Sequence, residues 1–298
     1  MRAMVQTTQV FITIVNYSKV TYRYPRRRNI IMASRARLHI DRKELYTDLE
    51  SRIHYLHSFL DFSSRDIEAL TYASKYIKQL IPAVVNIVYR KLLQYDITSR
   101  AFTTRSTSYE GPIDELPDED SPQILHRKMF LRGYLHKLCS DPSQMEFWEY
   151  LDKVGMMHVG RGRQHPLHVE YVHIGVCLGF IQDIIFEAVL SHPRLKMDRK
   201  IAIVKAIGKV LWIQNDLFAK WYVRDGDEFA GEMEEIVVER EGWLKGKQVI
   251  DAEGKSVGEE GEPSGEKSPT DEEKTKERNP YVLSVCWFSG WEGIDFDI

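Results

Sequence analysis

The chain has 298 residues, of which 43% are hydrophobic and 29% charged, and its net charge is −3. That length fits one large domain or two small ones, and the small net charge gives no general pull toward nucleic acid or an anionic membrane. Cys139, Cys177 and Cys286 stand far apart without CxxC spacing, which argues against a disulfide framework and for a reducing, cytoplasmic compartment.

Residues 1–40 contain no Asp or Glu but carry Arg2, Lys19, Arg23, Arg26, Arg27, Arg28, Arg35 and Arg37. Three readings stand: a basic disordered extension, a mitochondrial transit peptide, or a chain whose translation starts at Met32. The Arg26-Arg27-Arg28 triplet is too short to argue nucleic-acid binding.

From Asp41 the pattern is helical as far as Val223, and no strand pattern interrupts it. A first helix is expected over 41–60, with Leu45, Leu49, Ile53, Leu56 and Leu60 on one side. Ser63 with Asp66 three positions on reads as an N-cap opening a second helix. Pro82 suits the first turn of a third, which carries Val85, Val88, Tyr89 and Leu92. Thr103 to Asp120, with its Gly, Pro and acids, reads as a surface loop. Ser121-Pro122 then starts a helix through Leu125, Met129, Leu131, Leu135 and Leu138.

In the next segment Phe147, Leu151, Val154 and His158 recur at helical spacing. They put an imidazole at the C-terminal end of an apolar stripe. Two readings fit it: an axial ligand of an iron porphyrin, or a core histidine bonded to a backbone carbonyl. Arg161-Gly162-Arg163-Gln164-His165 is a basic connector. Pro166 opens the longest apolar helix, to about Leu190, and a last helix spans about Met197 to Val223. No apolar run reaches the roughly 20 residues needed to span a bilayer. The longest, Ile174 to Ile181, soon meets Gln182, Asp183 and Glu187.

Beyond this block, 226–280 reads as a linker. From about 251 it should be disordered, because only Ala252 and Val257 interrupt a run of Glu, Lys, Gly, Ser and Pro. Residues 281–298 turn apolar again, with Trp287 and Trp291. They should dock on their own domain, a partner chain or a membrane surface.

Competing chemistry is thin. Glu170-Tyr171-Val172-His173 matches the Glu-x-x-His of di-iron bundles, but no second copy exists. His165, His168 and His173 do not share a helix face, which argues against zinc. There is no phosphate-binding glycine loop and no nucleophile elbow.

The helix order and three stretches resemble the protoglobin and globin-coupled-sensor family. The stretches are Leu60-Asp61-Phe62-Ser63-Ser64-Arg65-Asp66, then 84–93 with Val88-Tyr89, and Val154-Gly155-Met156-Met157-His158. The resemblance covers about Asp41 to Val223 and implies an all-α, globin-like fold with an extra N-terminal helix over 41–225. It implies haem b (iron protoporphyrin IX) with His158 as the proximal ligand, beside Leu151 and Val154. Tyr89 matches the distal tyrosine that meets bound gas, and Tyr171 matches an aromatic position early in the following helix. Val88 stands where the family often has an aromatic residue. The basic connector around Arg163 either meets haem propionates or is a solvated loop. With no sensor output module in the sequence, the chain resembles a stand-alone single-domain member.

The expected function is reversible binding of O2, with CO and NO as further ligands, for sensing or storage. Two alternatives are a haem-dependent NO dioxygenase that needs a separate reductase, and a haem-less dimerising scaffold. Residues 166–190 are apolar on two sides. Val169, Val172, Val176, Phe180, Ile184 and Ala188 form one, and Ile174, Leu178, Ile181 and Ile185 the other. One side needs a cover, so a homodimer through 166–190 and 197–223 is expected, the competing explanation being that Tyr281 to Ile298 folds back over that side within one chain.

Overall fold

The computed structural model describes residues 37–232, 236–251, 254, 255 and 257. The expectations for residues 1–36, for disorder from about 251 and for the apolar tail 281–298 lie almost wholly outside the described residues. The chain divides at His39/Ile40, and everything below concerns the unit that follows.

Two short helices lead. α1 (Arg42–Thr47) and α2 (Leu49–Phe59) stand where one helix was expected. The break is Asp48, whose backbone is extended and whose carboxylate accepts the Ser51 N–H at 2.6 Å. A cap of that kind starts a helix more readily than it continues one. α3 runs unbroken from Ser64 to Leu93. Its start follows the expected capping logic, since Asp66 Oδ2 accepts the Ser63 N–H at 2.9 Å. Pro82 does not start a new helix. It lies on the exposed face of α3, where a carbonyl deprived of its donor can turn to water.

α4 (Asp96–Ser99) and a 3-10 turn (Arg100–Thr103) lead into the 104–121 loop. α5 (Pro122–Leu138) and α6 (Met145–His158) follow. The longest apolar helix opens at Tyr171 rather than at Pro166: α7 is Tyr171–Ser191. Residues 166–170 lie across the end of α6, where the Val169 N–H donates to the His158 carbonyl at 2.9 Å. α8 (Met197–Ala219) ends the bundle.

The core lies where α3, α6, α7 and α8 meet, around the fully buried Ile53, Ile81, Phe147, Trp148, Leu151, Ile203, Ile213 and Leu217. α7 is long and apolar enough to cross a membrane by length and composition, and it packs on α8 and α3. The architecture is all-α and globin-like.

Part of the stretch expected as a linker returns to the bundle. Strands β1 (Trp243–Leu244) and β2 (Lys247–Gln248) pair antiparallel about Lys245-Gly246. Both turn residues have positive φ, as a two-residue hairpin of this hand requires. Leu244, Val249 and Ile250 are buried. This docking was invisible in a segment whose neighbours are polar.

Candidate functional site

His158 is the last residue of α6. Helical geometry brings its ring back over the preceding turn, and Nδ1 donates to the Val154 carbonyl at 2.7 Å. Phe218 of α8 meets the ring edge-on, with centroids 5.2 Å apart. Burial drives the imidazole pKa down to about 4, against the opposing pull of the Val154 carbonyl. The ring is therefore neutral. With Nδ1 as donor, the lone pair belongs to Nε2.

The ring borders a cavity of about 470 Å³ walled by α3, α5, α6, α7 and α8, within the roughly 300–1,000 Å³ of small-molecule sites. Most of the wall is apolar: Val88, Leu92, Phe102, Leu131, Ile181 and Phe218 contribute. Of the residues expected at the site, His158, Val154, Tyr89 and Val88 line it. Two others do not. Leu151 is packed into the core and is not part of the wall. Tyr171 is outside the wall, and its hydroxyl donates to Asn215 Oδ1 at 2.8 Å, tying α7 to α8.

Tyr89 is buried and tilted against Phe102 at 5.6 Å. Burial raises its phenol pKa well above the usual range, against the pull of the nearby Arg127 guanidinium. Tyr89 therefore keeps its proton and remains a donor.

Wall residues that escaped the sequence reading include Arg127, Tyr134, Tyr150 and Glu241. Arg127 of α5 lies over the Phe102 ring at 5.5 Å and donates to the Thr104 carbonyl. Tyr134 and Tyr150 add two more buried phenols, both with pKa values raised by burial. Arg163, from the basic connector, is buried and reaches Glu241 at 3.7 Å, so it is no solvated loop residue; Arg161 instead lies over Trp221. Glu241 comes from the returning segment. Burial would raise its pKa, but the Ser108 hydroxyl, the Thr107 amide and Arg163 together hold it below the usual range.

The wall also holds unsatisfied polar atoms. Arg127 Nε, Tyr134 OH, Arg163 Nε and His173 Nε2 are buried without a hydrogen-bond partner. Such groups are costly unless something fills the space beside them. His173 Nε2 is 3.4 Å from Glu170 Oε2, and among the described residues no group of three or more His, Cys, Asp or Glu gathers as a metal site.

The sequence profile of the protoglobin family matches residues 49–228. No curated protein matches the chain. Among solved structures, the globin domain of a Geobacter sulfurreducens globin-coupled sensor is similar at 14% identity and a TM-score of 0.44, over 57% of this chain and 97% of that one. The stretch matched by the family profile contains Tyr89, Val154 and His158, and the chain belongs to the protoglobin family.

Proposed function

We propose that the cavity binds haem b through His158 Nε2 and that the protein is a gas-binding globin with a sensing role. The observation that carries this is the placement of the His158 ring, held by Val154 at the border of the cavity. Nδ1 is committed to Val154, and Nε2 carries its lone pair beside a large, mostly apolar space. Charge supports the reading as well. Arg100, Arg127, Lys153 and Arg163 border the space against Glu170 and Glu241, leaving the wall net positive. That suits an apolar ligand with carboxylates. Haem bound there would supply reversible coordination of a diatomic gas such as O2. The test is the absorption spectrum of purified protein, oxidised, reduced and under CO: a Soret band that shifts with CO supports the reading, and a colourless protein that takes up no added haem refutes it.

Tyr89 is the expected donor toward a polar ligand. Tyr89→Phe should speed O2 release roughly tenfold if the lost bond is worth about 1.4 kcal/mol. CO release should change less, because bound CO is less polar. Flash photolysis would compare the two gases, and equal effects would reduce Tyr89 to a packing role.

We further propose a homodimer through α7 and α8. Ile174, Ile181 and Ile185 face the core, while Val172 and Val176 are 59% and 65% exposed and Trp212 of α8 is 64% exposed. Gly175 and Gly179 have no neighbour within 4 Å of where a side chain would begin, so that face of α7 is open. Val176→Arg should convert a dimer to a monomer in light scattering. A wild-type monomer at working concentration would rule the interface out.

A further inference from the structure

Residues 236–250 lie outside the stretch matched by the family profile, yet Glu241 and Gly242 form part of the cavity wall. Two acids fasten this strap to two buried cations. Lys153 Nζ donates to Glu239 Oε2 at 2.6 Å and to the Trp243 carbonyl. Glu241 receives the Thr107 and Ser108 amides at 3.0 and 2.9 Å and the Ser108 hydroxyl at 2.7 Å, with Arg163 at 3.7 Å. Behind this polar edge sits an apolar anchor. Ile250 packs on Gly133 of α5 so closely that a Cβ at Gly133 would lie 2.4 Å from the Ile250 side chain.

We propose that residues 236–250 are a latch over the ligand cavity: the Glu239 and Glu241 contacts open to admit or release the ligand, and Ile250 on Gly133 returns the strap to its seat. For the ligand's identity the proposal rests on the haem reading above; the gating does not depend on it. Glu241 and Gly242 close one side of the cavity, so movement of the strap there changes how fast a rigid, planar ligand enters and leaves. The helical parts of the wall are joined through the core. The 166–170 stretch is pinned at Val169, whose N–H bonds His158 and whose carbonyl accepts the Tyr222 hydroxyl at 2.6 Å. The strap is held by these side-chain contacts, by one two-stranded hairpin, by the Glu239 N–H on the Gly162 carbonyl at 3.2 Å and by the buried Leu244, Val249 and Ile250; the polar contacts at Glu239 and Glu241 are the part of this seat that water can replace.

The test uses the full chain, wild type and two variants. Glu239→Gln loosens the polar fastening at a residue outside the cavity wall. Gly133→Leu keeps a good helix former in α5 but expels Ile250 from its seat, and it acts away from the cavity wall. Hydrogen exchange of the 239–250 amides in the unloaded protein should quicken in both. Haem uptake by stopped flow, and haem loss to an excess of acceptor, should both accelerate by roughly tenfold, the effect of about 1.4 kcal/mol of lost fastening, with their ratio nearly unchanged. Faster loss with unchanged uptake would make the strap an ordinary part of the binding site and overturn the latch. So would two unchanged rates. If no haem binds at all, the proposed function fails separately, and the entry rate of anilinonaphthalene sulfonate decides. Faster entry in both variants supports the latch, and equal entry overturns it.

Discussion

A His158→Ala variant is expected to fold normally and to lose stable haem retention. The side chain contributes little to the fold: its polar contact is the Val154 carbonyl, and its ring contact is Phe218. The residues that hold α6 in the core are Phe147, Trp148 and Leu151, which are fully buried and untouched. Alanine is also the best helix former, so the end of α6 should persist. The cavity would remain as an apolar space without a nitrogen lone pair. Helical content by circular dichroism should match wild type, while the Soret band and bound iron should be absent. Added imidazole fits the vacated volume and should restore part of the band. If His158→Ala keeps a normal Soret band and full iron content, His158 is a core histidine and the proposed function is wrong.

The half of the site built on one helix was legible in the sequence, because its signal is local. Phe147, Leu151, Val154 and His158 share a stripe, and the i–4 carbonyl that orients His158 belongs to Val154 on the same stripe. Tyr89 was legible for a similar reason, as a hydroxyl on an otherwise aliphatic face of α3. Spacing alone overreached at Leu151. A stripe wide enough to bury a helix is wider than the part of it that meets a cavity. The other half of the wall depends on contacts distant in sequence. Arg127 occupies the polar side of α5, where a cation looks solvated until Phe102 and the 104–121 loop close over it. Glu241 meets Ser108 from 133 positions away, and neither segment has a periodicity that predicts the other. The helix boundaries that moved did so at Asp48, Pro82 and Pro166. At each, a residue able both to break and to start helices was settled by its surroundings: by a side-chain cap at Asp48, by solvent at Pro82, and by docking across the end of α6 at 166–170.

Replacing Gly155 with alanine should destabilise the fold and weaken haem retention together. Gly155 sits in the middle of the Val-Gly-x-x-His stretch, on the side of α6 that faces α8. A Cβ there would lie 2.7 Å from the Leu217 carbonyl oxygen and 3.3 Å from the Phe218 Cα. Both are backbone atoms of a buried helix, so no rotamer change relieves the contact, and α6 must move away from α8. Overpacking of this kind costs about 1–3 kcal/mol. It works against the roughly 0.8–1.0 kcal/mol that alanine gains over glycine inside a helix. Gly208 of α8 supplies the control, because a Cβ there meets only Phe186, at an ordinary 3.6 Å. Gly208→Ala should therefore raise the melting temperature while Gly155→Ala lowers it, each by about 2–4 °C per kcal/mol in a domain of this size. The functional effect follows from position. His158 is one turn further along α6, and Phe218, which meets its ring edge-on, follows the carbonyl that would be struck. A shift of α6 against α8 moves the imidazole away from the wall where the ligand must meet it. Haem loss to an acceptor should thus be faster in Gly155→Ala and unchanged in Gly208→Ala. Equal melting temperatures and equal haem loss in the two variants would mean that α6 and α8 are not in tight contact at Gly155, and that the glycine of this motif has no part in placing His158.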